Sequence, residues 1–156
     1  MRIQLTAIGT KMPAWVTAGY AEYANRMPRE CRLELREVPL TRRGKNDDPA
    51  RLRRDEAARL SAALPERARI IALEVHGQKW TTEQLAGRLG RWLGEGRDVA
   101  LLVGGPDGLD PELSQRADDL WSLSPLTLPH PLVRVVLAEQ LYRAWTLHSG
   151  HPYHRG

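Results

Sequence analysis

Residues 99–108 read Val-Ala-Leu-Leu-Val-Gly-Gly-Pro-Asp-Gly, a run of five apolar residues that ends in a glycine-rich turn. An uninterrupted apolar strand is typical of a parallel sheet that helices cover on both faces. Because glycine has no Cβ, Gly104 and Gly105 allow a ligand to approach the main chain closely. Ligands of open parallel sheets bind beyond the carboxyl ends of the strands, which makes this turn a candidate site. The alternative interpretation is a tight turn that needs glycine only for positive φ.

The rest of the chain alternates between strand patterns and helix patterns. Further strands are predicted at residues 3–7, 31–35, 70–75 (ending at Gly77) and 120–123. Helices are predicted at residues 15–26, after Asp48-Pro49, after the capping-box sequence Thr81-Thr82-Glu83-Gln84, after Asp110-Pro111 and at residues 131–147. This alternation predicts an α/β fold with one domain, residues 1–156, and a parallel sheet between two helical layers.

Positive charge is the main signal in the composition. The chain has 20 arginines and three lysines, and its formal net charge is +4. A basic surface suits nucleic acid, but a bias of the genome toward arginine codons, with solvated side chains, explains the charge equally well. A basic loop at residues 41–46 shifts the balance slightly toward nucleic acid. Its Arg42, Arg43 and Lys45 are candidates for contacts with phosphate.

Other features of the sequence concern the cellular compartment. Cys31 is the only cysteine, which excludes an internal disulfide and a metal site made of cysteines. The first residues lack the apolar segment of a secretory signal, and no apolar run approaches the roughly 20 residues that cross a bilayer. We therefore expect a cytoplasmic protein with no membrane partner.

Residues 123–131, Leu-Ser-Pro-Leu-Thr-Leu-Pro-His-Pro, predict an irregular but buried segment. Its three prolines lack backbone donors and have a fixed φ, while leucines alternate with them as in a buried segment. Backbone groups that are buried outside regular structure need hydrogen-bond partners. A flat heterocycle such as adenine could supply these partners while it stacks on the leucines. The alternative is a loop that crosses the core and bonds to neighbouring loops.

The C-terminal tail carries titratable groups at close spacing. Histidines occur at positions 148, 151 and 154, but a glycine and a proline interrupt any helix that would align them, so no metal site is predicted. Tyr153, His154 and Arg155 combine a donor, a group suited to proton transfer and a cation. The alternative is a solvated tail without a function.

The last predicted helix, residues 131–147, is apolar over more than one stripe. Such a helix lies at the centre of the core or contacts a second subunit with one face. Both can hold in a chain of this length, and a symmetric homodimer is the commonest outcome.

Taken together, these segments resemble the ribosomal RNA large subunit methyltransferase H family, small SPOUT-class methyltransferases. The resemblance spans the chain from Gly9-Thr10-Lys11-Met12-Pro13-Ala14-Trp15 onward. Its most specific strings are Gly104-Gly105-Pro106-Asp107-Gly108, Leu126-Thr127-Leu128-Pro129-His130-Pro131-Leu132-Val133-Arg134 and His151-Pro152-Tyr153-His154-Arg155.

This resemblance implies a fold and an activity. The fold would be the α/β SPOUT fold, whose C-terminal part forms a trefoil knot. The activity would be methylation of N3 of a pseudouridine in helix 69 of 23S rRNA, on the assembled ribosome, by a homodimer. The methyl donor would be S-adenosylmethionine, and no metal is implied because the sulfonium is already activated.

The resemblance also implies site residues. Matched by position, the donor site would comprise Leu73, Gly104, Gly105, Leu123, Ser124, Pro125, Leu126, Thr127 and Leu128. Catalytic residues on the substrate side would be His130, Arg143, Tyr153 and His154. Pro125 has no N–H, so it cannot donate a backbone hydrogen bond to the ligand.

Two other functions stay open on the residues alone. One is a ribosome-associated binding module whose glycine turn holds an adenine nucleotide as a regulator. The other is a zinc hydrolase built on the histidines of the tail.

Overall fold

The computed structural model describes the backbone of residues 1–155 and the side chains of residues 1–153. Within that part of the chain, five strands form a single sheet in the order β2-β1-β4-β3-β5, and every neighbouring pair is parallel. The strands are β1 (Arg2–Ile8), β2 (Arg32–Val38), β3 (Arg69–Lys79), β4 (Val99–Val103) and β5 (Asp119–Ser122). The predicted α/β fold with a parallel sheet is therefore confirmed.

Helices cover both faces of this sheet. They are α1 (Ala14–Ala24), α2 (Pro49–Ala63), α3 (Thr82–Glu95), α4 (Pro111–Gln115) and α5 (His130–Ser149), with short 3₁₀ turns at Arg29–Cys31 and Pro152–Arg155. Leu101 of β4 packs among residues of α3 and α5, whereas its neighbour Leu102 packs among residues of α2 and α4. Alternate residues of β4 thus face opposite helical layers, which is why the whole strand is apolar. No helix in residues 1–155 is long and apolar enough to span a membrane.

The predicted helix boundaries have local causes in the structure. Thr81 and Gln84 form the reciprocal capping box at the start of α3. Asp48 caps α2 by accepting a hydrogen bond from the Ala50 N–H at 3.1 Å, and Pro49 occupies the first turn.

One predicted boundary is wrong. β3 does not end at Gly77 but continues to Lys79, with a register shift that sets both Leu73 and Gln78 opposite Trp121. A Cβ at Gly77 would lie 2.7 Å from the backbone carbon of Leu120. Glycine therefore marks a close crossing of two strands rather than a strand end. The other predicted bounds differ from the observed ones by at most three residues, and the bounds of β4 agree at both ends.

Candidate active site

A cavity of about 620 Å³ lies at the carboxyl ends of β4 and β5, beside the middle of β3. This volume is within the usual range for small-molecule sites, and the carboxyl edge of a parallel sheet is where such sites occur. Its walls come from residues 73–75 in the middle of β3, the glycine turn after β4, the segment after β5 and the start of α5. Eight of the nine predicted donor-site residues line it: Leu73, Gly104, Gly105, Leu123, Ser124, Leu126, Thr127 and Leu128. Pro125 does not line it.

The glycine turn shows why each of its glycines is needed. A Cβ at Gly104 would lie 2.6 Å from the backbone carbon of Gly108, and a Cβ at Gly105 would lie 3.0 Å from Ile8 Cγ2. Only Gly108 has a positive φ, at 78°, and its N–H donates to the Gly105 carbonyl at 3.0 Å. Positive φ therefore explains Gly108, and close packing against the main chain explains Gly104. At Gly105 the crowding comes from neighbouring side chains, of which Ile8 is the nearest.

A partly buried ion-pair network connects this turn to α2 and to the basic loop. Arg43 donates to Asp107 Oδ2 from two nitrogens, at 2.7 and 3.0 Å, and to Glu56 Oε1 at 3.1 Å. Burial raises the pKa of Glu56, while the Arg43 charge opposes that rise. The guanidinium that we predicted to contact phosphate is thus bonded within the protein. Arg42 and Lys45 are the exposed cations of that loop.

The proline-rich segment after β5 is only partly buried, contrary to the prediction. Leu123 and Leu128 pack against the core, but Leu126 is 72% exposed. The Leu126 N–H donates to Ser124 Oγ at 2.9 Å, so a local side chain satisfies this backbone group. Leu126 lines the cavity as an exposed apolar side chain, which suits contact with a flat ring.

His130 lies at the start of α5 and lines the cavity. Its Nδ1 is buried and has no hydrogen-bond partner among the described residues. Burial, and then the positive charges of Arg134 and Arg43, lower the pKa of His130. The imidazole is therefore neutral at pH 7 and can accept a proton or a hydrogen bond.

This shift in pKa predicts a pH dependence of stability. An unfolded chain protonates His130 near its ordinary pKa of about 6.5, whereas the folded protein resists protonation. The free energy of unfolding should therefore fall as the pH drops from about 6.5 toward the lower pKa of the folded state. We expect His130→Asn to reduce this fall, measured by urea unfolding at pH 7 and pH 5. Equal losses of stability in the variant and the unmodified protein would contradict the assignment.

Two predicted substrate-side residues lie elsewhere in the chain. Arg143 donates to Glu139 Oε1 from Nε at 2.7 Å, and the Tyr153 hydroxyl donates to the same oxygen at 3.2 Å. Thirteen residues of helix separate Arg143 from His130, a distance of about 20 Å along the α5 axis. Within one chain, the structure does not bring Arg143 and Tyr153 to the cavity.

Arg143, Tyr153 and Glu139 form a second cluster, in which the pKa values of Arg143 and Tyr153 are both raised. Burial, a hydrogen bond with Tyr23 and the negative charge of Glu139 raise the pKa of Tyr153 to about 12. The hydrogen bond to Glu139 raises the pKa of Arg143. At neutral pH, Tyr153 is therefore a hydrogen-bond donor and Arg143 a cation. The His154 side chain lies outside the described residues, and its role stays a prediction.

Glu74 is a lining residue that the sequence reasoning missed. Among the described residues around the cavity, it carries the only carboxylate. Its Oε1 accepts a hydrogen bond from the Ser114 hydroxyl. The signal available in the sequence was its position, because it directly follows Leu73 near the carboxyl end of the strand predicted at residues 70–75.

The described histidines of the tail have other neighbours. The His148 ring packs against Gly90, and His151 Nδ1 accepts a hydrogen bond from the Tyr153 N–H at 3.2 Å. The described residues contain no group of three or more His, Cys, Asp or Glu side chains that could hold a metal ion.

Comparisons with known proteins agree on one family. A family model described as "Predicted SPOUT methyltransferase" matches residues 1–154. The chain is 58% identical to the ribosomal RNA large subunit methyltransferase H of Thioalkalivibrio sulfidiphilus over 155 residues, which cover 99% of each chain. It is 57% identical to the protein of the same name from Stutzerimonas stutzeri, over 99% of this chain and 100% of the relative.

Solved structures support the fold. A probable methylase family protein from Haemophilus influenzae superposes with a TM-score of 0.56 at 9% identity, over 97% of this chain and 69% of the other. A structure that describes the 2-OH methylation of C/U34 on tRNA gives a TM-score of 0.51 at 19% identity, over 93% and 97% of the two chains. At these identities, the likeness concerns the fold alone.

Proposed function

Because this chain belongs to the ribosomal RNA large subunit methyltransferase H family of SPOUT methyltransferases, we propose that it methylates N3 of a pseudouridine in helix 69 of 23S rRNA. The proposed substrate is the assembled ribosome, and the proposed compartment is the cytoplasm. The observation that carries the proposal is the cavity at the carboxyl edge of the sheet. The glycine turn and the proline-rich segment, which are the most specific strings of the family resemblance, meet around it.

SPOUT methyltransferases use S-adenosylmethionine, and the cavity fits this donor in size and chemistry. Gly104 and Gly105 expose main-chain groups that can bond an adenine edge, while Leu123, Leu126 and Leu128 offer apolar walls for its faces. When bound, the donor supplies a methyl group that its sulfonium already activates. We also infer the trefoil knot of the family, since such a fold brings residues 104–108 and 123–131 together.

The protein's own contribution is mostly positioning. Alignment of the nucleophilic nitrogen with the methyl group can supply as much as about 7–11 kcal/mol, whereas a general base contributes about 10²–10⁴-fold. Tyr153 and Arg143 are suited to hold the base or a phosphate, because one is a neutral donor and the other a cation. His154, or the neutral His130, is the proposed acceptor of the N3 proton.

The separation of the two groups supports a homodimer. Arg143 lies about 20 Å along α5 from His130, and Tyr153 bonds to Glu139 beside Arg143. One chain therefore cannot apply this pair and His130 to the same nucleotide. Trp15 on α1, which packs beside α5, is 59% exposed, as expected of an interface residue. We propose that the tail of one protomer meets the cavity of its partner.

A complementation experiment tests this arrangement. Protomers with Gly104→Ala and protomers with Tyr153→Phe should each be weakly active, and the co-expressed mixture should regain methyl transfer because mixed dimers contain one intact site. A mixture that is no more active than its components would contradict a shared site.

The function itself is tested by transfer of tritiated methyl groups to RNA. The protein should label intact ribosomes in preference to separated subunits, and mapping should locate the label on a pseudouridine of helix 69. Label on another nucleotide, or on separated subunits alone, would contradict the proposal.

Because Glu74 carries a negative charge at the cavity, we expect the cavity to bind S-adenosylmethionine more tightly than its product, S-adenosylhomocysteine. The sulfonium carries a positive charge that S-adenosylhomocysteine lacks, and the described lining holds a single carboxylate. We expect Glu74→Gln to weaken binding of S-adenosylmethionine at least about fivefold more than binding of S-adenosylhomocysteine, measured by calorimetry.

Ser114→Ala is the matched control for Glu74→Gln. It removes the hydroxyl that donates to Glu74 but leaves the charge in place, so the preference for the charged donor should change much less. Equal weakening of both ligands by Glu74→Gln would instead indicate a hydrogen bond to the ribose that they share.

A further inference from the structure

A second cavity, also of about 620 Å³, lies between the end of β3 and one side of α3. We call it the α3 groove, and its main side chains are Gln78, Lys79, Trp80, Gln84, Arg88 and Arg91. The extension of β3 past Gly77 forms one wall. The first turns of α3 form the other wall. The groove exists because β3 continues past Gly77, so that Gln78 and Lys79 lie opposite α3.

Two side chains of the α3 groove, Trp80 and Arg88, form a stack with the buried Trp121 beneath them. The Trp80 and Trp121 rings stack with centroids 4.7 Å apart and an angle of 17° between their planes. The Arg88 guanidinium carbon lies 4.0 Å from the centroid of the Trp80 ring. Two groups this close cannot share one face of a ring, so both faces of Trp80 are covered. Trp80 is therefore not available to stack on a nucleobase, and its role is to hold Arg88 in place.

The α3 groove carries positive charge without a carboxylate in its described lining. Lys79 and Arg91 are exposed and form no ion pair with a described residue. Arg88 has a distant ion pair with Asp119, at 3.7 Å. This differs from Arg43, whose guanidinium is bonded to two acids. The groove thus combines clustered cations, two of them without an ion pair to a described residue, with a concave surface.

The α3 groove also adjoins the donor cavity. Trp121 lines that cavity and stacks on Trp80 of the groove. A polyanion bound along Lys79, Arg88 and Arg91 would therefore run beside the site of methyl transfer, separated from it by the two stacked rings.

We propose that the α3 groove binds the sugar–phosphate backbone of the RNA substrate beside the reacting nucleotide. This proposal rests on the RNA substrate of the proposed function. The groove contacts phosphates rather than bases, because Lys79 and Arg91 form no ion pair with a described residue while the faces of the Trp80 ring are covered. Binding there is independent of sequence and positions the strand.

The test uses Lys79→Gln/Arg91→Gln in the full chain. We expect the KM for ribosomes to rise at least fivefold near physiological salt, with kcat at saturating ribosomes and the affinity for S-adenosylmethionine unchanged. Each phosphate contact contributes about 0.7–0.9 to the slope of log affinity against log salt. The slope should therefore decrease by about 1.5 in the double variant.

Arg32→Gln/Arg36→Gln is the matched control, because it removes the same charge from exposed positions of β2 at the opposite edge of the sheet. The KM of this control should stay within twofold of that of the unmodified protein. Its salt slope should change by less than about 0.3, which is a fraction of the contribution of one phosphate contact. Equal effects of the two double variants would overturn the proposal in favour of general charge attraction. An unchanged salt slope in Lys79→Gln/Arg91→Gln would also overturn it.

Binding measured without the donor separates this proposal from the proposed function. Sedimentation of the protein with assembled ribosomes reports on the α3 groove even if no methyl group is transferred. Loss of binding in the groove variant alone supports the groove, whereas absence of methyl transfer by the unmodified protein contradicts only the proposed reaction.

Discussion

Gly104→Ala is expected to weaken the binding of S-adenosylmethionine by about 100-fold, which corresponds to about 3 kcal/mol. The added Cβ would lie 2.6 Å from the Gly108 carbon and 2.8 Å from both the Gly108 oxygen and the Leu109 nitrogen. All three atoms belong to the backbone, so no side chain can rotate away to relieve the overlap. The turn must open, and its main-chain groups then leave the cavity wall. Calorimetric titration with S-adenosylmethionine measures the loss.

Gly94→Ala provides the control for this substitution. Gly94 is exposed on α3, and a Cβ there would meet no atom within 4 Å. The affinity should stay unchanged, and the free energy of unfolding should rise by up to about 1 kcal/mol, because alanine favours the helix over glycine. An affinity within threefold of normal in Gly104→Ala would show that the turn does not form the donor site.

The fold was predictable because its causes are local. The capping box at Thr81, the Asp48 cap before Pro49 and the apolar strand at residues 99–103 each depend on a few adjacent residues. The extension of β3 was not predictable in this way. Gly77 is needed because the backbone at residues 120 and 121 crosses it, more than 40 positions away in the chain. In the sequence, a glycine after an apolar run looks the same whether the strand ends there or a second strand crosses it.

The candidate site was predictable in part, and the limit again lies in long-range contacts. The resemblance supplied the residues of the glycine turn and the proline-rich segment, and the structure brings them to one cavity. The roles of the charged residues could not be predicted from their neighbours in the sequence. Arg43 lies in a basic loop that suits phosphate, yet its partners are Glu56 and Asp107, the latter 64 positions away. Glu74 was missed because a single glutamate in a strand has no distinctive pattern.

Arg134→Met is expected to lower the free energy of unfolding by about 3 kcal/mol. Arg134 is 1% exposed, and it donates to Glu37 Oε2 at 2.7 Å and to the Gly9 carbonyl at 2.8 Å. These bonds tie α5 to the carboxyl ends of β2 and β1. Methionine fills similar space but leaves the carbonyl without its donor. Because the Glu37 side chain is 36% exposed, water can solvate that carboxylate, and the loss should fall at the lower end of the range for a broken buried pair.

Urea unfolding at one fixed protein concentration measures this loss, since the stability of the proposed homodimer would depend on concentration. Glu37→Gln is the control: it removes the charge but keeps an acceptor, and it should cost only about 1 kcal/mol. A loss below 1 kcal/mol in Arg134→Met would show that the buried guanidinium is not needed for stability. Arg134 also lies one turn after His130 and lowers its pKa, so Arg134→Met should raise the pKa of His130. The substitution thus tests, in one protein, whether the residue that fixes α5 also adds to the effect of burial in lowering the pKa of the His130 imidazole.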